Sequence, residues 1–232
     1  MKEAIENLIP LERDLFFLLN GSDSSFLDDW MWTVSGRFVW IPLFLAILFL
    51  FFYRTPRKQA LLVTLFFILV FVMSDQLSSG FCKPFFERFR PTHHPDFKEL
   101  VDIVNGYRGG RYGFISGHAT NSFGLAVFLS LLFRHRGVTL AALSWALLNS
   151  YTRIYLGVHF ISDIVAGMLA GSLLAFLLYR LMMLLLSRLP ATQDLSAGTL
   201  YNRKQGNWLA MFILAYIFLL TLFSPLMASL PH

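Results

Sequence analysis

Arg153, His159 and Asp163 stand in the run Thr152-Arg153-Ile154-Tyr155-Leu156-Gly157-Val158-His159-Phe160-Ile161-Ser162-Asp163, between two strongly apolar segments. The spacing of four predicts that His159 and Asp163 share one face of a helix, about 6 Å apart along its axis. A carboxylate so placed can hold one ring nitrogen and leave the other as a nucleophilic lone pair. Arg153 offers a planar fork that matches phosphate or carboxylate oxygens. Together they suggest phosphoryl chemistry at a membrane surface, although a lone His–Asp pair is often structural.

Two further clusters bear on that choice. In Lys83-Pro84-Phe85-Phe86-Glu87-Arg88-Phe89-Arg90-Pro91, Lys83 and Arg90 lie seven apart. In a helix ended by Pro91 they align on one face and converge on an anion; alone, they would equally suit a basic patch touching headgroups. Ser116-Gly117-His118-Ala119-Thr120 precedes an apolar stretch. As a helix start it offers unpaired amides and the positive dipole end to a phosphate oxygen, with His118 as proton donor. The plainer reading makes Ser116 an N-cap and His118 an interfacial histidine. Buried charge in a membrane costs about 2.5 to 3.5 kcal/mol per group at the bilayer centre and is usually functional. All three clusters are expected on one side of the membrane, which favours a single anion-handling site.

The elements that must position these groups are membrane helices. The chain has 232 residues, 56% of them hydrophobic with 25 Phe, and a mean hydropathy of +0.59. That composition excludes an ordinary soluble domain. We read an all-α, polytopic membrane bundle of about six spans, near 38–53, 60–80, 119–133, 138–156, 161–186 and 208–228, forming a single membrane domain over 1–232. Residues 1–36 form an interfacial N-terminal segment, 60–186 the catalytic core and 208–228 an additional C-terminal span. In the first segment Ile5, Leu8, Ile9, Leu15, Phe16 and Leu19 alternate with charges, which predicts an interfacial helix or a helix pair broken at Pro10. Trp30 and Trp32 suit the headgroup layer.

No cleavable signal peptide is expected, because Lys2, Glu3, Glu6, Glu12, Arg13 and Asp14 crowd the start. The single Cys82 excludes an intrachain disulfide and reads as an inert thiol. Arg54, Arg57 and Lys58, then Arg134 and Arg136, then Arg188, Arg203 and Lys204 mark the cytoplasmic ends. Loops 81–118 and 153–160, with the site, then face outward. The net charge of +5 reflects these basic turns and the anion site, and no nucleic-acid motif accompanies it.

Lys83-(six residues)-Arg90-Pro91, then Ser116-Gly117-His118, then Arg153-(five)-His159-(three)-Asp163 resembles the three-part signature of the type 2 phosphatidic acid phosphatase superfamily over roughly residues 60–186. The order and spacing are highly specific. Two positions depart: Ile115 stands where the family usually has proline, loosening the expected turn, and Thr152 where it usually has serine, keeping a hydroxyl. The resemblance implies that His159 is the nucleophile forming a phosphohistidine, that Asp163 holds its ring, and that His118 protonates the leaving group and then activates water. It implies that Lys83, Arg90, Ser116, Gly117 and Arg153 bind the phosphate oxygens. No cofactor or metal is implied, and His93, His94 and Asp96 read as solvated loop residues.

The expected substrate is a lipid phosphate whose tails stay in the bilayer. Small size and a short N-terminal helix resemble family members acting on undecaprenyl pyrophosphate, in a bacterial inner membrane with the site facing the periplasm. Lipid A phosphatase and phosphatidylglycerophosphate or phosphatidate phosphatase are the alternatives. In the loop 92–115, Arg108 and Arg111 of the Gly-rich stretch 106–113 are candidate headgroup residues, against a plain flexible loop. An anion or lipid transporter would more often carry its charges at mid-membrane. A soluble vanadate-dependent peroxidase would share the anion site but not the spans.

Overall fold

The computed structural model describes residues 2–96, 98–188 and 200–229. Among them every regular element is helical, beside one isolated bridge between Phe89 and Tyr112. Helices α1 (Lys2–Glu6), α2 (Ile9–Leu19) and α3 (Ser25–Ser35) precede α4 (Ile41–Phe52), α5 (Arg57–Asp75) and α6 (Lys83–Phe86). They are followed by α7 (Gly117–Phe133), α8 (Arg136–Tyr155), α9 (Ile161–Leu186) and α10 (Arg203–Met227).

The expected spans fall on α4, α5, α7, α8, α9 and α10. The continuous run Arg57–Phe86, α9 and α10 are long and apolar enough to cross a bilayer, and α3 with α4, bent by 72°, qualifies only as a pair. Length and composition therefore mark up to four crossings, fewer than the six read from the sequence. α7 is apolar but short, and α8 carries Asn149, Ser150 and Arg153. Leu45, Phe49, Leu65, Leu169, Leu173, Phe218 and Leu222 are exposed around the outside. An apolar exterior over internally hydrogen-bonded helices is what lipid as solvent requires.

α7 explains its own shortness. Twelve of its 17 residues are buried, and it packs against α5, α8 and α9, so it is the axis of the bundle rather than a lipid-facing wall. Its contact with α9 is very close: a β-carbon at Gly171 would lie 2.1 Å from the carbonyl oxygen of Thr120. A small residue there lets the two backbones touch, as is common where membrane helices meet. The contact fixes the start of α9, with Asp163, against the start of α7, with Ser116 and His118.

At the other end of the bundle the basic turns meet. Gln205 Nε2 donates to the Tyr53 carbonyl at 2.8 Å, Tyr201 OH to the Phe51 carbonyl at 3.3 Å, and the Tyr201 ring stacks on Phe133 at 4.6 Å. The turns carrying Arg54, Arg57 and Lys58, Arg134 and Arg136, and Arg203 and Lys204 thus share one end, a helix length from Gly117.

The N-terminal helices are docked on the site's end. The break between α1 and α2 falls at Asn7 and Leu8; Pro10 sits in the first turn of α2, where its missing amide hydrogen is not needed, so it opens a helix instead of breaking one. Ile9, Glu12 and Phe16 point inward while Leu8, Leu11, Leu15 and Leu18 are exposed. Phe16 and Ile9 pack with Val101, Ile154, Phe160 and Ile164, and Asn20 Nδ2 donates to the Tyr155 carbonyl at 2.9 Å.

The close α7–α9 contact makes a direct prediction. Gly171→Val must push the helices apart, at a cost of about 1–3 kcal/mol. Thermal unfolding in detergent should then show a midpoint several degrees lower, since about 1 kcal/mol shifts a chain of this size by about 2–4 °C. An unchanged midpoint would mean the helices are not in contact there.

Candidate active site

The site is built where the starts of α6, α7 and α9, the end of α8 with the turn after it, and one extended segment converge. After α5 the chain continues as a π-helical stretch, Gln76–Cys82, into α6. Wider turns of this kind recur at functional sites, and Pro84, with no amide hydrogen, cannot restore the α-helical bond there. The helix ends at Phe86, well before Pro91, with Glu87 in the left-handed region at φ 50°. Lys83 and Arg90 are therefore not on one helix face, as the spacing suggested. Residues 88–90 are extended instead, pinned to 111–113 by Arg90 N donating to Arg111 O at 3.1 Å and Gly113 N to Arg88 O at 2.9 Å. Alternation along an extended chain puts Arg88 and Arg90 on the same side.

Lys83, Arg90, Gly117, His118, Arg153 and His159 all line one cavity of about 570 Å³, with Arg37 and Tyr107 beside them and Trp40, Phe44, Phe71 and Trp145 forming apolar walls. Arg153 is buried; Nη1 donates to Ser35 Oγ and Nη2 to Tyr107 OH at 3.2 Å. Arg90 Nε donates to the Tyr112 carbonyl at 3.0 Å, which leaves its terminal nitrogens for the cavity. Burial, and then the charge of Arg153, push the Arg90 pKa down to about 10, so it stays cationic at neutral pH. Lys83 Nζ donates to Ser79 Oγ at 3.1 Å, and Ser79 in turn to Asp75 Oδ1 at 3.4 Å.

His159 is not in a helix. It lies in the turn after α8, where the amides of Val158 and His159 both donate to the Arg153 carbonyl, at 3.0 and 3.1 Å. Asp163 is the third residue of α9, and its Oδ2 accepts from the Phe160 amide at 3.1 Å while meeting His159 Nδ1 at 3.2 Å. The expected pair forms, but through helix capping rather than a shared helical face: a carboxylate in the first turn reaches back to the capping residue. Burial, and then the positive charges of Arg90, Arg153, Lys83 and Arg88, hold the His159 imidazole well below its ordinary pKa. A neutral ring oriented through Nδ1 presents Nε2 as a nucleophile.

His118 opens α7 and faces the cavity, with Nε2 3.4 Å from the Ser35 carbonyl. Ser116 is fully buried and does not line the cavity. Its Oγ caps the helix by accepting from the Ala119 amide at 3.4 Å, and its own amide donates to the Asp163 carbonyl at 3.0 Å. It ties the starts of α7 and α9 together and leaves Gly117 to face the cavity. Ile115 is buried, and the turn it was expected to loosen is anchored by that Ser116–Asp163 bond. Thr152 Oγ1 donates to the Asn149 carbonyl at 2.7 Å within α8 and does not line the cavity.

The loop residues stand elsewhere. Arg108 Nη1 donates to the Thr92 carbonyl at 3.1 Å, and Arg111 lies over the rings of Phe89 and Tyr112, at 5.1 and 5.5 Å. Neither lines the cavity. The Gly-rich stretch contributes closeness instead: a β-carbon at Gly113 would lie 3.0 Å from Asp163 Oδ2 and 3.4 Å from His159 Nδ1. Sequence reading also passed over Arg88, whose Nη1 donates to Asp163 Oδ1 at 2.7 Å, as well as Arg37 and Tyr107 in the cavity wall. Only the alternation Arg88-Phe89-Arg90 hinted that two cations face one way. Among the described residues no group of three or more His, Cys, Asp or Glu side chains could hold a metal ion.

The chain is similar to known proteins. The model of the PAP2 superfamily matches residues 62–187. A lipid A 4'-phosphatase of Porphyromonas gingivalis is 45% identical over 184 residues, which cover 79% of this chain and 78% of that protein. A lipid A 4'-phosphatase of Bacteroides thetaiotaomicron is 40% identical, covering 75% and 78%. The crystal structure of Aquifex aeolicus LpxE superimposes with a TM-score of 0.54 at 25% identity, covering 73% of this chain and 95% of that one. On these grounds, and with the three motifs joined in one cavity, the chain belongs to the PAP2 superfamily and is a membrane lipid phosphatase.

Proposed function

We propose that the chain removes a phosphate monoester from lipid A through a phosphohistidine. The observation that carries the chemistry is the His159–Asp163 pair, 3.2 Å apart, at a cavity shared by Lys83, Arg90 and Arg153. His159 Nε2 attacks phosphorus. The three cations and the Gly117 amide offset the negative charge on the equatorial oxygens, so the step requires no metal. Burial, and then the charge of Arg153, hold His118 neutral until a bound phosphate dianion offsets the cations. The protonated ring then gives its proton to the departing sugar oxygen and regains one from the water that cleaves the phosphorus–nitrogen bond.

The choice of lipid rests on likeness. Two lipid A 4'-phosphatases match at 45% and 40% identity over most of the chain, which favours this reading over undecaprenyl pyrophosphate, the substrate expected from size and the N-terminal helix. Charge supports a position for the site. The basic turns gathered at the opposite end favour that end as the cytoplasmic side by the positive-inside rule, and so favour a cavity at the periplasmic face of the inner membrane. There the acyl chains stay in the bilayer while the phosphate enters between the cations.

Two measurements test this. With purified protein, a lipid A 4'-phosphate should show kcat/KM at least about tenfold above undecaprenyl pyrophosphate and phosphatidylglycerol phosphate; preference for either of the others overturns the assignment. His159→Ala should lower phosphate release by at least ~10³-fold, as expected for loss of a nucleophile. Wild-type turnover in that variant would remove His159 from the mechanism.

A further inference from the structure

Helix α2 lies outside the residues matched by the family model, yet it sends a carboxylate into the rear wall of the site. Glu12 Oε1 accepts from Arg88 Nη2 at 2.8 Å and from Ser162 Oγ at 2.6 Å, and Oε2 accepts from the Ser162 amide at 2.6 Å. The other end of the Arg88 guanidinium donates from Nη1 to Asp163 Oδ1 at 2.7 Å and to Ser162 Oγ at 2.6 Å. Arg88 is 1% exposed and Asp163 is fully buried. The guanidinium carbon also lies over the Phe160 ring, 4.6 Å from its centre, and the Phe16 ring of α2 meets Phe160 at 5.5 Å between centroids. A chain of alternating charge thus runs Glu12, Arg88, Asp163 and ends on the neutral His159 ring.

We propose that Glu12 is a positioning residue for catalysis, acting through Arg88 on the carboxylate that holds the nucleophile. The inference rests on the phosphohistidine reading. As Nε2 forms its bond to phosphorus, the ester bond breaks, its electron pair leaves with the lipid oxygen and that oxygen takes a proton from His118. The ring becomes cationic, with its Nδ1 proton directed at Asp163. Asp163 alone would stabilise that cation, but its other oxygen is bound to Arg88, whose positive charge opposes the new one. Glu12 neutralises Arg88, so the group behind the ring keeps a net negative charge and becomes neutral overall when the ring charges. In a buried, weakly screened setting an unbalanced cation at this distance opposes the step strongly. Glu12 also receives a free amide at the start of α9, which fixes the turn bearing Asp163.

A simple staple for an interfacial helix would affect docking but not the chemical step, and kinetics separate the two. In full-length protein in detergent, Glu12→Gln should lower kcat about tenfold. KM for the lipid phosphate and the inhibition constant of inorganic phosphate, which reports the Lys83–Arg90–Arg153 cradle, should stay at wild-type values. Arg88→Met leaves two buried carboxylates facing each other, so the double variant Glu12→Gln/Arg88→Met should be no slower than Arg88→Met alone. An unchanged kcat in Glu12→Gln, a loss confined to KM, a loss of phosphate inhibition, or losses that multiply in the double variant would each overturn the proposal. If Arg88→Met does not fold, Glu12→Gln decides alone. Failure of the wild-type protein to turn over any lipid phosphate would instead sink the reading beneath it.

Discussion

A fully buried carboxylate governs this structure. Asp163 is fully buried, so each oxygen must be satisfied by protein. One oxygen takes the Phe160 amide and His159 Nδ1, and the other takes Arg88. Those bonds draw the turn after α8, the start of α9 and the extended segment 88–90 to one point. Breaking such a cluster by removing one partner is strongly destabilising because it strands a charge. The site is therefore held by the same interactions that would make it react.

The surrounding scaffold is arranged to let those polar groups meet. α7 is wrapped by α5, α8 and α9, and at Gly171 two backbones touch, so the starts of α7 and α9 have a fixed relation. Ser116 reinforces it through the Asp163 carbonyl. Gly113 lets the loop close over the His–Asp pair without a side chain intervening. The result is a cavity with cationic groups at one end and aromatic walls toward the bundle interior, suited to an amphiphile that brings its phosphate to a membrane boundary.

Much of this was legible in the sequence, and the rest was not for definite reasons. Lys83, Arg90, Gly117, His118, Arg153 and His159 could be singled out because reacting groups declare themselves by type, and charges beside apolar segments are conspicuous. Their geometry was less accessible. The His159–Asp163 contact looked helical from its spacing, but a capping carboxylate gives the same contact across a helix start. Lys83 and Arg90 looked like two turns of one helix, whereas a π-helical stretch and a left-handed Glu87 bring them together another way. Arg88 and Glu12, 76 residues apart, pair only in the tertiary fold, and nothing local marks either. Arg108 and Arg111 drew notice as cations in a flexible-looking loop, yet backbone carbonyls and aromatic faces hold them away from the cavity. The six expected spans fall on helices, yet length and composition alone mark up to four, because α7 is short and largely buried in protein and α8 carries polar residues.

In the proposed reaction, phosphate passes through His159 before reaching water. The stereochemistry at phosphorus tests it most directly, using a lipid phosphorothioate made chiral with two oxygen isotopes and hydrolysed in water of the third, so that the thiophosphate released is itself chiral. Two in-line displacements, first by His159 and then by water, predict overall retention of configuration. Inversion would show a single direct attack by water and contradict the account.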